Sequence, residues 1–171
     1  MLKRWAMVAA AGGVLAGCTT MAADGHSTSS PTAETVTVAV GPCFGFCPVY
    51  QVSVAPDGML RFVGERHTTV IGERTKTIGA AASQALIRDL APYRPATGSE
   101  TQVACTATVS DTSSYTVTWE SRDGGKTVAT VQDHCPGGPG QSLGALLRTL
   151  PTRLGIADWA KQVTRPGVSR G

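Results

Sequence analysis

The residues best equipped for chemistry in this chain are its five cysteines and three histidines. Cys43 and Cys47 have three residues between them within Gly41-Pro42-Cys43-Phe44-Gly45-Phe46-Cys47-Pro48-Val49-Tyr50. That spacing admits three chemistries. A disulfide would close a tight ring, with Gly45 free to take a positive φ and Pro42 and Pro48 stiffening the flanks. A cycling dithiol would exploit the ease with which a strained small ring is reduced. No Lys, Arg or His lies inside the motif to stabilise a thiolate, however, and no βαβ order surrounds it. A metal site would use two soft thiolates, suited to Cu(I), with His67 or His134 as third ligand. The structural disulfide asks for the fewest further groups and is the reading adopted.

Two other strings invite chemistry and do not carry it. In Asp133-His134-Cys135 a base adjoins a nucleophile, but neighbours on a strand point to opposite faces, and an oxidised Cys is no nucleophile. Gly137-Gly138-Pro139-Gly140 is glycine-rich ahead of a helix, yet lacks the Lys-Ser/Thr ending of a phosphate-binding loop and reads as a loop before a helix cap. Ser110, Ser113 and Ser114 have no Gly-x-Ser-x-Gly context, and no paired carboxylates stand out. An enzymatic role is not expected, and no cofactor is implied.

The N-terminus fixes the compartment in which this sulfur chemistry would occur. Lys3 and Arg4 precede an apolar run from Trp5 to Leu15, the order of a secretory signal. The run is about half the ~20 residues that a stable membrane span needs. The string Leu15-Ala16-Gly17-Cys18 then resembles the lipobox of bacterial lipoproteins, in which the Cys thiol receives a diacylglycerol, the leader is cut before it and the new amine is acylated. The resemblance implies a signal peptide over residues 1–17 and lipid attachment at Cys18. Several acyl chains at about 0.8 kcal/mol per buried CH₂ would anchor the protein firmly. Thr19 after that Cys, rather than Asp, points to the outer membrane, with the domain facing the periplasm.

Using Cys18 for lipid leaves Cys43, Cys47, Cys105 and Cys135, an even number in an oxidising compartment, so two disulfides are expected. Of the three connectivities, Cys43 with Cys47 and Cys105 with Cys135 is favoured. The first pair is adjacent in sequence and the second flanks a hairpin. Loss of Lys3 and Arg4 with the leader brings the 15 basic residues close to balance with the 12 acidic ones. No basic block remains for a nucleic-acid partner.

These residues need elements to position them. Residues 18–34 are Thr, Ser, Ala, Gly and Pro with little to bury, a tether whose root-mean-square reach is roughly 20–25 Å. Residues 35–163 are expected to form a single domain, followed by a frayed tail over 164–171. Val36, Val38 and Val40 alternate as a strand. Tyr50, Val52 and Val54, the Asp57-Gly58 turn, then Leu60 and Phe62 predict a hairpin. Residues 68–79 read equally as an edge strand or a loop. Ala82, Leu86, Ile87 and Leu90 predict a helix stopped at Pro92. The order then recurs: Tyr115, Val117 and Trp119, a turn at Asp123-Gly124-Gly125, a return over Val128 to Val131, and a helix capped near Ser142 with Leu143, Leu146, Leu147 and Leu150 before Pro151. A last helix is expected from Ile156 to Val163. Ala85-Leu86-Ile87-Arg88-Asp89-Leu90 matches Ala145-Leu146-Leu147-Arg148-Thr149-Leu150, which suggests a duplicated hairpin-plus-helix unit. The fold class is α+β: one antiparallel sheet of hairpins with two or three helices on a single face.

The string Cys43 to Tyr50, with the hairpin through Gly58, resembles the signature of a bacterial family of unknown function, domain of unknown function 6438, whose members are secreted or lipid-anchored. Weaker similarity runs through Leu86 to Leu90, Asp111-Thr112-Ser113-Ser114 and the Leu-rich terminal helix, while Thr112 and Ser113 stand where a Pro is common. The Cys-x-x-x-Cys-Pro spacing also resembles the copper site of Sco-type assembly proteins, although the thioredoxin fold of that group does not match the order of elements here. The expectation is a non-enzymatic, lipid-anchored envelope protein, held to the membrane by its lipid and binding an envelope protein or peptidoglycan. The rival is a thiol-redox or copper-handling protein built on Cys43 and Cys47.

Overall fold

Hydrophobic residues at every second position cannot be hidden within a lone strand, so the alternating segments collect into one sheet. The computed structural model describes residues 34–163; the leader, Cys18, the tether and the 164–171 tail lie outside them. The strands are β1 (Thr35–Val40), β2 (Val49–Val54), β3 (Met59–Arg66), β4 (Gly72–Thr77), β5 (Glu100–Gln102), β6 (Ser114–Glu120) and β7 (Lys126–Gln132). The helices are α1 (Ala80–Leu90), α2 (Gly138–Arg153) and α3 (Ala157–Ala160). The sheet order is β4-β3-β2-β1-β6-β7-β5. Every pairing is antiparallel except β5 with β7, which is parallel. This is the expected α+β sheet with helices, with one parallel edge strand that the sequence pattern did not reveal. Among the described residues no helix is long and apolar enough to cross a membrane.

Register explains why one face is core. Val38 of the central strand pairs with Val52 on one side and Val117 on the other, and Val52 pairs in turn with Phe62. All four are buried. The opposite face carries Thr37, Ser53, Thr116 and Thr118, with Thr37 and Ser53 sharing a 2.8 Å hydroxyl contact. Leu86 and Leu90 of α1 and Leu143, Leu147 and Leu150 of α2 join the same buried cluster as the inward strand residues, so both helices cover one face.

The two hairpins flank β1 as mirrored arms. β2 and β6 both run antiparallel to β1, and in each hairpin the first strand is the inner one. With both helices on one face, no rotation or translation superimposes one hairpin-plus-helix on the other. The matched strings also present different positions to the core: Leu86 is buried in α1, whereas in α2 the equivalent Leu146 is only partly buried and Leu147 is enclosed. The duplicated unit expected from Ala85–Leu90 and Ala145–Leu150 is therefore absent as a repeated fold. The strings resemble each other because two helices meet the same apolar face.

One segment left open between strand and loop is decided, and two helix boundaries differ from expectation. Residues 72–77 settle as strand, pairing with β3. α2 starts at Gly138 rather than near Ser142, because the Gly140 N–H donates to the Ala104 carbonyl at 3.0 Å and Pro139 occupies a first-turn position whose N–H would otherwise be orphaned. It continues past Pro151 to Arg153, whose guanidinium pairs with Asp89 of α1, and the Pro151 carbonyl accepts the Ile156 N–H at 2.8 Å. α3 stops at Ala160 instead of Val163, since residues 159–163 give their backbone groups to the loop after β3: Val70 N to Trp159 O, Thr69 N to Lys161 O, and Val163 N to His67 O.

The start of the fold is clamped as well. Arg94 donates to both carboxylate oxygens of Glu34, at 3.2 and 2.7 Å, just ahead of β1. The six residues of β1 then carry the chain roughly 20 Å, at about 3.3 Å per residue, from that clamp to the opposite end of the sheet.

Candidate functional site

The far end of the sheet, where β1 delivers Gly41, gathers the features that packing alone does not require. Gly41 N–H donates to Ser114 O at 2.8 Å, and Phe44 N–H reaches Asp111 O at 3.4 Å, so the loop after β1 leans across to the segment entering β6. Cys43 and Cys47 are bonded, with Cα atoms 5.7 Å apart. Gly45 between them takes φ 135°, which only glycine adopts readily. The ring holds Phe44 at 88% exposure and Phe46 at 45%. Phe46 stands edge-on to the His67 ring at 5.2 Å. Closing a ring this small removes about 2 kcal/mol of chain entropy from the unfolded state.

Among the described residues, the non-glycine residues with positive φ are His67, Asp111 and His134, at 58°, 62° and 55°. His67 follows β3, Asp111 precedes β6 and His134 follows β7. The register puts all three at the same end of the sheet as the Cys43–Cys47 loop, and two of them touch it: His67 through Phe46, and Asp111 through its carbonyl, which accepts the Phe44 N–H. Each costs roughly 1 kcal/mol or more, and such costs concentrate at functional sites.

Behind the loop lies a cavity of about 390 Å³, with Val40, Pro48 and Ala160 in its walls and Tyr50, Tyr115, Ser113 and Asp133 as polar lining. Its position follows from register. Val40 pairs with Tyr50 of β2 on one side and with Tyr115 of β6 on the other, which brings the two phenols to the same end on the core face. Asp133 follows β7 and donates its N–H to Ser113 O at 2.8 Å. Its carboxylate accepts from Arg148 at 2.9 Å and from the His134 backbone N–H at 2.8 Å. Tyr50 and Ser113 are more than nine-tenths buried as residues, yet their hydroxyls are not enclosed: among the described residues Thr112 Oγ1 is the fully buried side-chain oxygen without a partner.

Burial first, and then the nearby Asp133 charge, pushes the Tyr50 phenol up to about 12. The same causes in the same order raise Tyr115, reinforced by Tyr50 and opposed by Arg148. Both phenols are therefore neutral at physiological pH. An acid whose folded pKa is raised favours folding while it stays protonated. Stability is thus complete below the unfolded value near 10 and falls as pH rises through 10 toward 12. Urea melts across pH 9–12 are expected to show that fall, and Tyr50→Phe to flatten part of it. A profile identical in Tyr50→Phe would refute the buried phenol as its source.

The other residues singled out from sequence are distributed as follows. Cys105 and Cys135 are bonded, Cα atoms 5.5 Å apart, beneath the first turn of α2. Gly138–Gly140 belongs to that turn, with Gly137 the residue just before it. Asp133, His134 and Cys135 lie in the turn after β7 and not on a strand; His134 is exposed while Cys135 is buried in its disulfide, so the two do not face each other. Neither His67 nor His134 completes a ligand set with Cys43 and Cys47: no cluster of three or more His, Cys, Asp or Glu gathers among the described residues. Sequence reasoning missed the convergence of Tyr50, Tyr115, Ser113 and Asp133. The two Tyr at the head of Tyr-x-Val-x strands were visible, but only pairing of both strands with Val40 reveals that they share a cavity.

A family described as "Domain of unknown function (DUF6438)" matches residues 34–152, from the Glu34 clamp through most of α2. No curated protein matches the chain.

Proposed function

The chain belongs to the DUF6438 family, and on that footing we propose that it is a non-enzymatic, lipid-anchored protein of the cell envelope that binds its ligand at the Cys43–Cys47 end of the domain. The observation that carries the reading is the coincidence at one end of the sheet of the disulfide-held Phe44 and Phe46, three strained non-glycine residues and the cavity. That end is opposite Glu34, where the tether from Cys18 joins β1. An outer-membrane anchor and a tether reaching roughly 20–25 Å would present it to the periplasm. A rigid loop that already displays its aromatic side chains loses little entropy on binding, which favours recognition.

The anchor is tested by metabolic labelling with an alkyne palmitate, in which Cys18→Ser is expected to abolish the label and release the protein from membranes. Binding is tested by placing a photo-crosslinking residue at Phe44, at Phe46 or, as control, at Asp123 in the β6–β7 turn of the other end. Adducts at 44 and 46 and none at 123 are expected in cells; equal yields at all three positions would defeat the reading. The redox alternative draws on the half-exposure of the Cys43–Cys47 ring. It predicts rapid alkylation of both thiols under mild reductant and loss of function with retained fold in Cys43→Ser.

A further inference from the structure

The cavity's own chemistry narrows what it holds. An anion such as phosphate would find in the lining only Lys161, an exposed cation whose charge water screens, since Arg148 is committed to Asp133 at 2.9 Å. A cationic ligand would need a free carboxylate, but Asp133 already takes Arg148 and the His134 N–H. A wholly apolar ligand would seal the Tyr50 and Ser113 hydroxyls away from water with no partner, which opposes binding. What remains is a neutral ligand that both gives and takes hydrogen bonds around its edge and offers apolar faces to Val40, Pro48 and Ala160.

We propose that the cavity binds one pyranose ring of a glycan chain, its hydroxyls meeting Tyr50, Tyr115 and Ser113 and its C–H faces meeting the apolar walls. The volume of about 390 Å³ lies within the roughly 300–1,000 Å³ usual for small-ligand sites. Both phenols keep their protons at physiological pH and can donate as well as accept. Cys47 and Pro48 both lie in the wall, so the disulfide ring borders the cavity. The proposal rests on the binding-module reading above and adds the class of ligand.

The test is isothermal titration of the full mature chain, purified from membranes in a zwitterionic detergent, with a β-1,4-linked N-acetylglucosamine trimer and with maltotriose. Saturable binding of at least one trimer is expected, weakened fivefold or more by Tyr50→Phe and by Ser113→Ala. Preference for the acetylated trimer assigns the source to cell-wall glycan, and preference for maltotriose to an unacetylated glycan. Binding of neither, or binding that both variants leave unchanged, overturns the proposal. Thermal melting verifies that each variant folds, and if Tyr50→Phe does not, Ser113→Ala decides. Crosslinking at Phe44 and Phe46 without sugar binding would retire the glycan and leave the binding module; loss of both would retire both.

Discussion

Replacing Cys105 and Cys135 together by Ala is expected to lower unfolding stability by about 3–4 kcal/mol, nearly twice the cost of opening the Cys43–Cys47 ring. The difference follows from loop length. The first bridge joins residues 30 apart and the second residues 4 apart, so the first removes far more freedom from the unfolded chain. Its native surroundings add to that. Cys135 is 4% exposed and belongs to the apolar core. The Ala104 carbonyl, adjacent to the bridge, accepts the Gly140 N–H that begins α2, and a Cβ at Gly140 would lie 2.5 Å from the Cys135 sulfur. The bridge thus pins the strand β5, the end of β7 and the start of α2 at one point. Ala is the informative substitute, because a buried Ser would add an unpaired hydroxyl and confound the measurement. Urea unfolding of the oxidised protein, the Cys105/Cys135 variant and the Cys43/Cys47 variant gives the comparison. Equal losses in the two variants would contradict the loop-length argument.

That contrast also shows how far the chain could be understood before its fold was known. The Cys pairs, the alternating Val36-Val38-Val40 strand and both hairpins are local patterns, carried by period two and by Asp-Gly turns, and they locate most of the sheet. The edge strand β5 was not legible. Its residues Glu100, Thr101 and Gln102 are all exposed, so no alternation marks them, and it exists because Glu100 to Gln102 align beside Val128 to Thr130. α3 is shortened by a tertiary competitor, the His67–Val70 loop, which takes the backbone groups that a longer helix would have used.

The site was legible only in part, for a related reason. Cys43, Phe44, Phe46 and Cys47 are contiguous and could be singled out by type and spacing. Tyr50, Ser113, Tyr115 and Asp133 lie up to more than eighty positions apart and meet only because β2 and β6 flank the same central strand. Strain at His67, Asp111 and His134 leaves no trace in residue type beyond the tolerance of His and Asp for left-handed backbone. A signature loop read from sequence is therefore the lip of a cavity whose floor is assembled by topology.

Gly58→Ala is expected to cost about 2–5 kcal/mol, combining the ~1–2 kcal/mol of a left-handed alanine with the ~1–3 kcal/mol of forcing atoms into occupied space. Gly58 closes the β2–β3 turn at φ 87°, and a Cβ there would lie 2.3 Å from the carbonyl carbon of Gly79, the residue that opens α1. That neighbour is backbone and cannot rotate aside. The same junction holds the Ile78 N–H on Gly58 O at 2.8 Å and the Ser83 hydroxyl on Ala55 O at 2.8 Å, so pushing turn and helix apart breaks both bonds. Gly72→Ala is the matched control, because Gly72 has nearly the same φ, 85°, with nothing within 4 Å of an added Cβ. It should lose only the conformational part, about 1–2 kcal/mol. Chemical denaturation of the two variants separates backbone strain from close approach. A Gly58 loss no larger than that at Gly72 would mean that the turn and α1 are free to move apart, and that the helix is not seated by this contact.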